Sequence, residues 1–155
     1  MTYNLDATDR RIINLLEQDA KMTIKDIAAQ LNMSTTPIFD RIKRLEKTGY
    51  IKGYTAIVDS KMMGFNLIAY CTVTLETHHR EHIQQFVNDV QLLSEVIECY
   101  HIAGLFDYLL KIYVEDMNDY QLFITEKLAS IKNIGKVQSS FVMTEIKNVA
   151  ALPLL

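Results

Sequence analysis

Several things are scarce in this 155-residue chain, and each scarcity narrows what it can be. No apolar run is long enough to cross a bilayer as a helix, where about 20 residues are needed. The opening Met1-Thr2-Tyr3-Asn4-Leu5-Asp6 has no basic stretch followed by an apolar one, so secretion is not expected. Only two cysteines occur, Cys71 and Cys99, both inside apolar strand-like runs, and they read as small core residues of a reducing compartment. A cytoplasmic protein is expected. Five glycines leave little material for a phosphate cradle, and no Gly-x-x-x-x-Gly-Lys-Ser/Thr, Gly-x-Gly-x-x-Gly or Gly-x-Ser-x-Gly motif is present. No convergent acid–base or nucleophile set stands out, so an enzyme is not expected.

What is present is a folded-protein composition, 49% hydrophobic and 23% charged, long enough for one ordinary domain or two small ones. The formal charge of -3 is unevenly spread. Residues 1–60 carry nine Lys/Arg against eight Asp/Glu, and residues 61–155 carry seven against eleven. The stretch STTPIFDRIKRLEKTGYIK, 34–52, carries five basic residues against two acidic ones. Two parts with different tasks follow from that asymmetry.

The first part reads as three short helices. Asp6 and Asp9 have capping-box spacing ahead of Ile12, Ile13 and Leu16, predicting a helix over about 7–19. Thr23 and Asp26 repeat that spacing before Ile24, Ile27, Ala28 and Leu31. Asn32-Met33 suits a tight turn because Asn tolerates left-handed backbone. Ser34 is placed to cap a third helix with Pro37 in its first turn, where a missing N–H costs nothing. Ile38, Ile42 and Leu45 share the inward face, whereas Thr36, Phe39, Asp40, Lys43, Arg44 and Lys47 point away.

Three helices with a tight turn before the third make a helix-turn-helix, whose third helix meets base edges in the major groove of double-stranded DNA. The expected DNA-facing residues are Ser34, Thr35, Thr36, Phe39, Asp40, Lys43, Arg44 and Lys47. The hydroxyls and helix N-terminus suit phosphate, the cations suit flanking phosphates, and Phe39 suits a thymine methyl. A merely solvated face is the competing interpretation, and Asp40 and Glu46 dilute the basic character. Tyr50–Val58, β-branched and aromatic, is expected to be a strand serving as wing, linker or both.

After Met62-Met63-Gly64-Phe65 two similar units follow: strand 66–76, helix 81–93, strand 96–103, then strand 108–114, helix 118–131 and strand 137–146. Inward positions are Ile83, Phe86, Val87 and Val90 in the first helix and Leu122, Ile124, Leu128 and Ile131 in the second. The order βαββαβ predicts a ferredoxin-like fold, so the whole chain is expected to be α+β. The expected divisions are a helix-turn-helix over 1–50, a strand or linker over 51–64, and the ferredoxin-like domain over 65–155. Two helices cover one face of such a sheet, yet the face bearing Ile68, Tyr70, Leu109 and Tyr113 is still partly apolar. A second copy is its natural cover, and a homodimer also suits two DNA half-sites.

Three stretches, "LDATDRRIINLLEQDAKMTIKDIAAQLNMSTTPIFDRIKRLEKTGYIKGYTAIVD", "GLFDYLLKI" and "VQSSFVMTEIK", together resemble the Lrp/AsnC (leucine-responsive/asparagine-responsive, feast/famine) transcriptional regulators. The resemblance spans essentially the whole chain. It implies a winged helix-turn-helix followed by a domain called RAM, which dimerises and binds a small effector, usually an amino acid. It also implies assembly beyond the dimer, often to an octamer, in the prokaryotic cytoplasm at the nucleoid.

Carried over by position, the effector site involves Gly104, Leu105, Phe106, Asp107 and Tyr108, with Ser139 and Ser140 as additions. Gly104 would let the backbone approach a carboxylate, and Asp107 would accept from an α-ammonium group. Relatives often carry a polar or acidic residue after that glycine, whereas Leu105-Phe106 tilts the effector toward an apolar amino acid. Without the resemblance, 104–107 reads only as a hairpin turn.

His78, His79 and His82 read as a solvated polar turn, so no metal site is expected, and no cofactor beyond the effector. An architectural DNA-binding protein without effector control is the alternative function.

Overall fold

The computed structural model describes residues 3–148. The chain divides into two compact units, one built on residues up to Ile57 together with the chain from Lys147, and one spanning Val58–Ile146. The end of the expected second domain, from 149 to 155, lies outside the described residues.

The first unit holds α1 (Ala7–Gln18), α2 (Ile24–Leu31) and α3 (Thr35–Lys47). Each start follows from local chemistry. Asp6 and Asp9 form a reciprocal capping box, with the Asp9 N–H donating to the Asp6 carboxylate at 2.8 Å. Thr23 accepts from the Asp26 N–H at 3.2 Å. Asn32 ends α2 in the left-handed conformation, φ 52, giving the tight turn into α3.

Ser34 occupies the N-cap of α3, but its hydroxyl makes no capping bond. Gly49, at φ +80, follows the last turn of α3, where the bond from the Gly49 N–H to Glu46 O helps satisfy the helix end. Ile12, Ile27, Ala28, Leu31, Ile38, Ile42 and Leu45 are the buried core of this unit.

One expectation fails here. Tyr50–Val58 forms no strand, because a strand requires a ladder partner and none is supplied among the described residues. Ile57 and Val58 are instead 88% and 68% exposed. A turn over 60–64 then leads into the second unit.

There β1 (Leu67–Leu75), α4 (Arg80–Gln91), β2 (Val96–His101), β3 (Tyr108–Val114), α5 (Met117–Leu122) and β4 (Ile134–Phe141) follow in βαββαβ order. The sheet order β2-β3-β1-β4, antiparallel throughout, is the ferredoxin-like arrangement. Alternation decides the faces. Ala69, Cys71, Val73 and Leu75 of β1 and Tyr108, Leu110, Ile112 and Val114 of β3 are buried beneath Phe86, Val90, Tyr120, Phe123 and Leu128.

The helix after β3 is less regular than its periodicity suggests. Beyond Leu122 it widens into a π-helical turn, Phe123–Lys127, and closes with a 3-10 turn, Leu128–Ser130. Tyr120 and Phe123 face the core, whereas Leu122, the residue before the π-helical turn, is 51% exposed. The last strand starts three residues and ends five residues before the expected 137–146. Ile134 pairs with Leu75, and Gly135 sits so close to Thr74 that a Cβ there would stand 2.9 Å from its Oγ1. Met143 and Ile146, expected in that strand, lie past its end and are exposed.

Cys99 also departs from expectation. Cys71 is buried, its thiol pushed up to about 11 by burial, whereas Cys99 is exposed because β2 is an edge strand.

Candidate functional site

On α3 the structure gathers most of the expected DNA-facing residues on one exposed surface. Ser34, Thr35 and Thr36 are exposed at its N-terminus, Phe39 is 45% exposed, and Asp40, Lys43 and Lys47 continue the exposed row. Lys43 Nζ lies 5.9 Å from the centre of the Phe39 ring and 3.1 Å from a Glu46 carboxylate oxygen. The other Glu46 oxygen accepts from the Tyr54 hydroxyl at 3.1 Å. A polar chain thus runs from the segment after α3 to the exposed face of the helix.

Arg44 is placed differently from the other cations. It lies on the flank of α3 that faces α1, with NH2 3.6 Å from Asp9 and its guanidinium 4.2 Å from the centre of the Tyr3 ring. Beside it Arg41, absent from the expected set, donates to Asp6 at 2.6 Å and Asp9 at 2.7 Å. Asp9 is fully buried, the one charged side chain so placed among the described residues. It also accepts from the Tyr3 hydroxyl and, at 3.2 Å, from the Asp6 N–H.

Two carboxylates and two guanidiniums therefore balance one another where α1 meets α3. The Asp9 N–H and then Arg41 hold the Asp6 carboxyl below the usual carboxylate range. The hydrogen bond to Asp9 raises the Tyr3 hydroxyl above its ordinary value. Sequence spacing carried one trace of this cluster, the capping-box position of Asp9. The Arg41 link spans 32 residues and has no local signature.

In the second unit the turn from β2 to β3 carries Gly104–Asp107. Gly104 has φ +140, a conformation other residues resist, with open space where a Cβ would stand. Leu105 is 92% exposed and Phe106 half-buried. The Ile102 N–H donates to Asp107 O at 2.8 Å, and the Asp107 N–H donates to Val73 O at 2.9 Å.

The Asp107 carboxylate does not stand free for an ammonium group. One oxygen accepts from the Leu75 N–H at 2.7 Å, and the other meets His78 Nε2 at 2.9 Å. The Leu75 bond is the main cause of its lowered pKa. Asp107 therefore pins the turn to the end of β1.

Tyr108 points into the core, stacked on His101 with ring centres 5.0 Å apart. Ser139 and Ser140 sit on β4, beyond β1 from this turn, and face opposite sides of the sheet: Ser139 pairs with buried Cys71, Ser140 with Tyr70. The Ser139 hydroxyl accepts from Tyr120 at 2.5 Å. Burial pushes the Tyr120 hydroxyl up to about 12. One chain thus brings together Gly104, Leu105, Phe106 and Asp107 but not the two serines.

The sheet face away from the helices bears Tyr70, Tyr100, Leu109 and Tyr113 around a Lys111–Glu98 ion pair of 3.3 Å. No group of three metal-ligating side chains is assembled among the described residues, and no described helix is long and apolar enough to cross a membrane. His82 meets the Thr77 hydroxyl, and His78 meets Asp107.

Comparison with known proteins agrees with this architecture. Residues 5–52 match the family described as winged helix-turn-helix DNA-binding, and residues 68–152 match the Lrp/AsnC ligand binding domain. The DNA-binding transcriptional activator DecR of Escherichia coli (strain K12) is 35% identical over 97% of this chain and 99% of its own. The leucine-responsive regulatory protein of Klebsiella pneumoniae is 34% identical over 93% of this chain and 88% of its own.

Among solved structures, a transcriptional regulator from Neisseria meningitidis in complex with L-Met superposes with a TM-score of 0.93 at 30% identity, covering 97% of each chain. An AsnC family regulator from Agrobacterium tumefaciens gives 0.92 at 32% identity, again covering 97% of each. An N-terminal helix-turn-helix, a four-stranded antiparallel α/β domain and these whole-length matches lead to one conclusion: the chain belongs to the Lrp/AsnC family of DNA-binding transcriptional regulators.

Proposed function

We propose that this regulator's hold on DNA is modulated by an apolar amino acid bound at the Gly104–Asp107 turn. The observation that carries the reading is that turn itself. Gly104 exposes backbone without a side chain, Leu105 offers an almost fully exposed apolar surface, and Asp107 fixes both to β1. The similarity to the Neisseria protein solved with L-Met supports an amino acid as the ligand. Backbone N–H groups suit the carboxylate of such a ligand, and Leu105 with Phe106 suits its side chain. Because both Asp107 oxygens are engaged, an α-ammonium group finds its acceptor elsewhere or displaces His78.

On DNA, Ser34, Thr35, Thr36, Phe39 and Asp40 of the exposed row enter the major groove, and Lys43, Arg44 and Lys47 meet the flanking backbone. The tyrosine-rich sheet face closes against a second copy, and dimers assemble further, toward an octamer. Tyr50–Val58, which has no strand partner among the described residues, offers that second copy strand-forming backbone to pair with. A cytoplasmic, nucleoid-bound protein follows from such a role.

The test is binding of the purified protein to its own upstream region against shuffled DNA, with and without pooled amino acids. Selective binding that shifts with the pool, and a shift lost in Leu105→Asp, is the expected result. Selective binding indifferent to the pool would mean an architectural role without effector control.

A further inference from the structure

We infer that Tyr3 is a positioning residue for DNA binding. With the buried Asp9 carboxylate, its ring holds the Arg44 guanidinium on the flank of α3 in a pose ready to meet a phosphate. The inference rests on the reading that Arg44 contacts the DNA backbone.

The two neighbouring arginines divide the work. Arg41 is spent: one guanidinium nitrogen reaches two carboxylates at 2.6 and 2.7 Å, and the side chain is only 23% exposed. Arg44 is held without being consumed. At 3.6 Å from Asp9 it is attracted but makes no short hydrogen bond, and its side chain is 43% exposed. Its guanidinium lies over the Tyr3 ring at 4.2 Å. Such a contact uses the aromatic face and leaves guanidinium N–H donors for an oxyanion. Asp9 competes weakly with phosphate, because its negative charge is already shared with Arg41 and the Tyr3 hydroxyl.

The platform is itself built in. The Tyr3 hydroxyl donates to Asp9, its ring meets the edge of Tyr50 at 6.2 Å, and the Tyr50 hydroxyl donates to Tyr3 O at 2.6 Å. The segment before α1 is thereby fastened at three points, all within the DNA-binding unit. A long arginine that must otherwise be ordered on binding is ordered beforehand, which favours the complex.

The test is a double-mutant cycle on the full chain, reading DNA affinity by fluorescence anisotropy at fixed salt and folding by thermal melting. Arg44→Ala is expected to weaken binding about ten-fold and lower the salt slope by about one. Tyr3→Leu is expected to weaken it about five-fold. The double variant should bind no worse than Arg44→Ala alone, because Tyr3 acts through that arginine.

Tyr3→Phe keeps the ring and should stay within about two-fold of the parent. A Tyr3→Leu loss that persists in full without Arg44 would make the role purely structural and overturn the inference. So would a Tyr3→Phe loss as large as that of Tyr3→Leu. Arg44→Ala binding as tightly as the parent would remove the phosphate contact, and the inference with it, while leaving DNA binding by the unit intact.

Discussion

The two units solve the same problem with different means. The helical unit has a small core of short aliphatic side chains, and it adds a buried carboxylate that ties α1 to α3 through two arginines. The sheet unit has a larger core with aromatic side chains, and its corresponding carboxylate, Asp107, bonds backbone rather than another helix. Helices satisfy their own backbone, so their mutual placement must come from side chains. Strands are placed by the ladder itself, and a carboxylate is needed only where a turn leaves an N–H over. Polar side chains set the geometry between elements in the first unit and finish a loop in the second.

That contrast can be broken in several places. The largest effect is expected from Phe86→Ala, which empties the centre of the sheet unit's core and should cost about 3–5 kcal/mol in urea unfolding. Asp9→Asn should come next, at about 2–3 kcal/mol, because it leaves Arg41 short of its buried partner. If Asp9→Asn melted like the parent, the idea that a polar clamp sets the helical unit would fail. Gly104→Ala should cost about 1 kcal/mol, through the positive φ it must adopt, and slacken the turn over 104–107.

A finer probe is acid. The folded-state pKa values of Asp6 and Asp107 are depressed, so each contributes stability that is present above the ordinary carboxylate pKa. That contribution is lost as the pH falls through the depressed value. Stability should therefore decline as the pH drops below about 4, and Asp6→Asn or Asp107→Asn should flatten the part of the decline that belongs to its own unit. The smallest effect on folding is expected from Lys47→Ala, on the exposed row. It should leave melting unchanged yet weaken binding to all DNA sequences alike, with a salt slope lower by about one.

Local chemistry was readable from the chain. The capping carboxylates, Asn32 at the turn, the α3 face of Ile38, Ile42 and Leu45, and the alternation along β1 and β3 all lie where their spacing puts them. What escaped depended on distant partners. Tyr50–Val58 has strand-forming residues but, among the described residues, no strand beside it. The start of β4 was hidden because Gly135-Lys136 looks like a turn, although Gly135 packs close against Thr74, whose hydroxyl accepts from the Lys136 N–H at 2.8 Å. The π-helical turn shifts a phase that a regular repeat cannot foresee.

At the candidate sites the split is the same. The exposed row of α3 follows from its periodicity. The capture of Arg44 by Tyr3 and Asp9, and of Asp107 by Leu75 and His78, required the folded chain.

The position of β4 beside β1 has a consequence for how the protein is made. Residues 69 and 141 pair, so the sheet cannot gain its fourth strand until most of the chain has left the ribosome. The three helices, in contrast, are complete once Lys47 and the following glycine have emerged. A nascent chain therefore carries its three N-terminal helices while the central strand of the sheet still has one bare edge. Long-range strand pairing of this kind is slow compared with helix docking. The three helices of the helix-turn-helix are thus formed before the ligand-binding domain is complete.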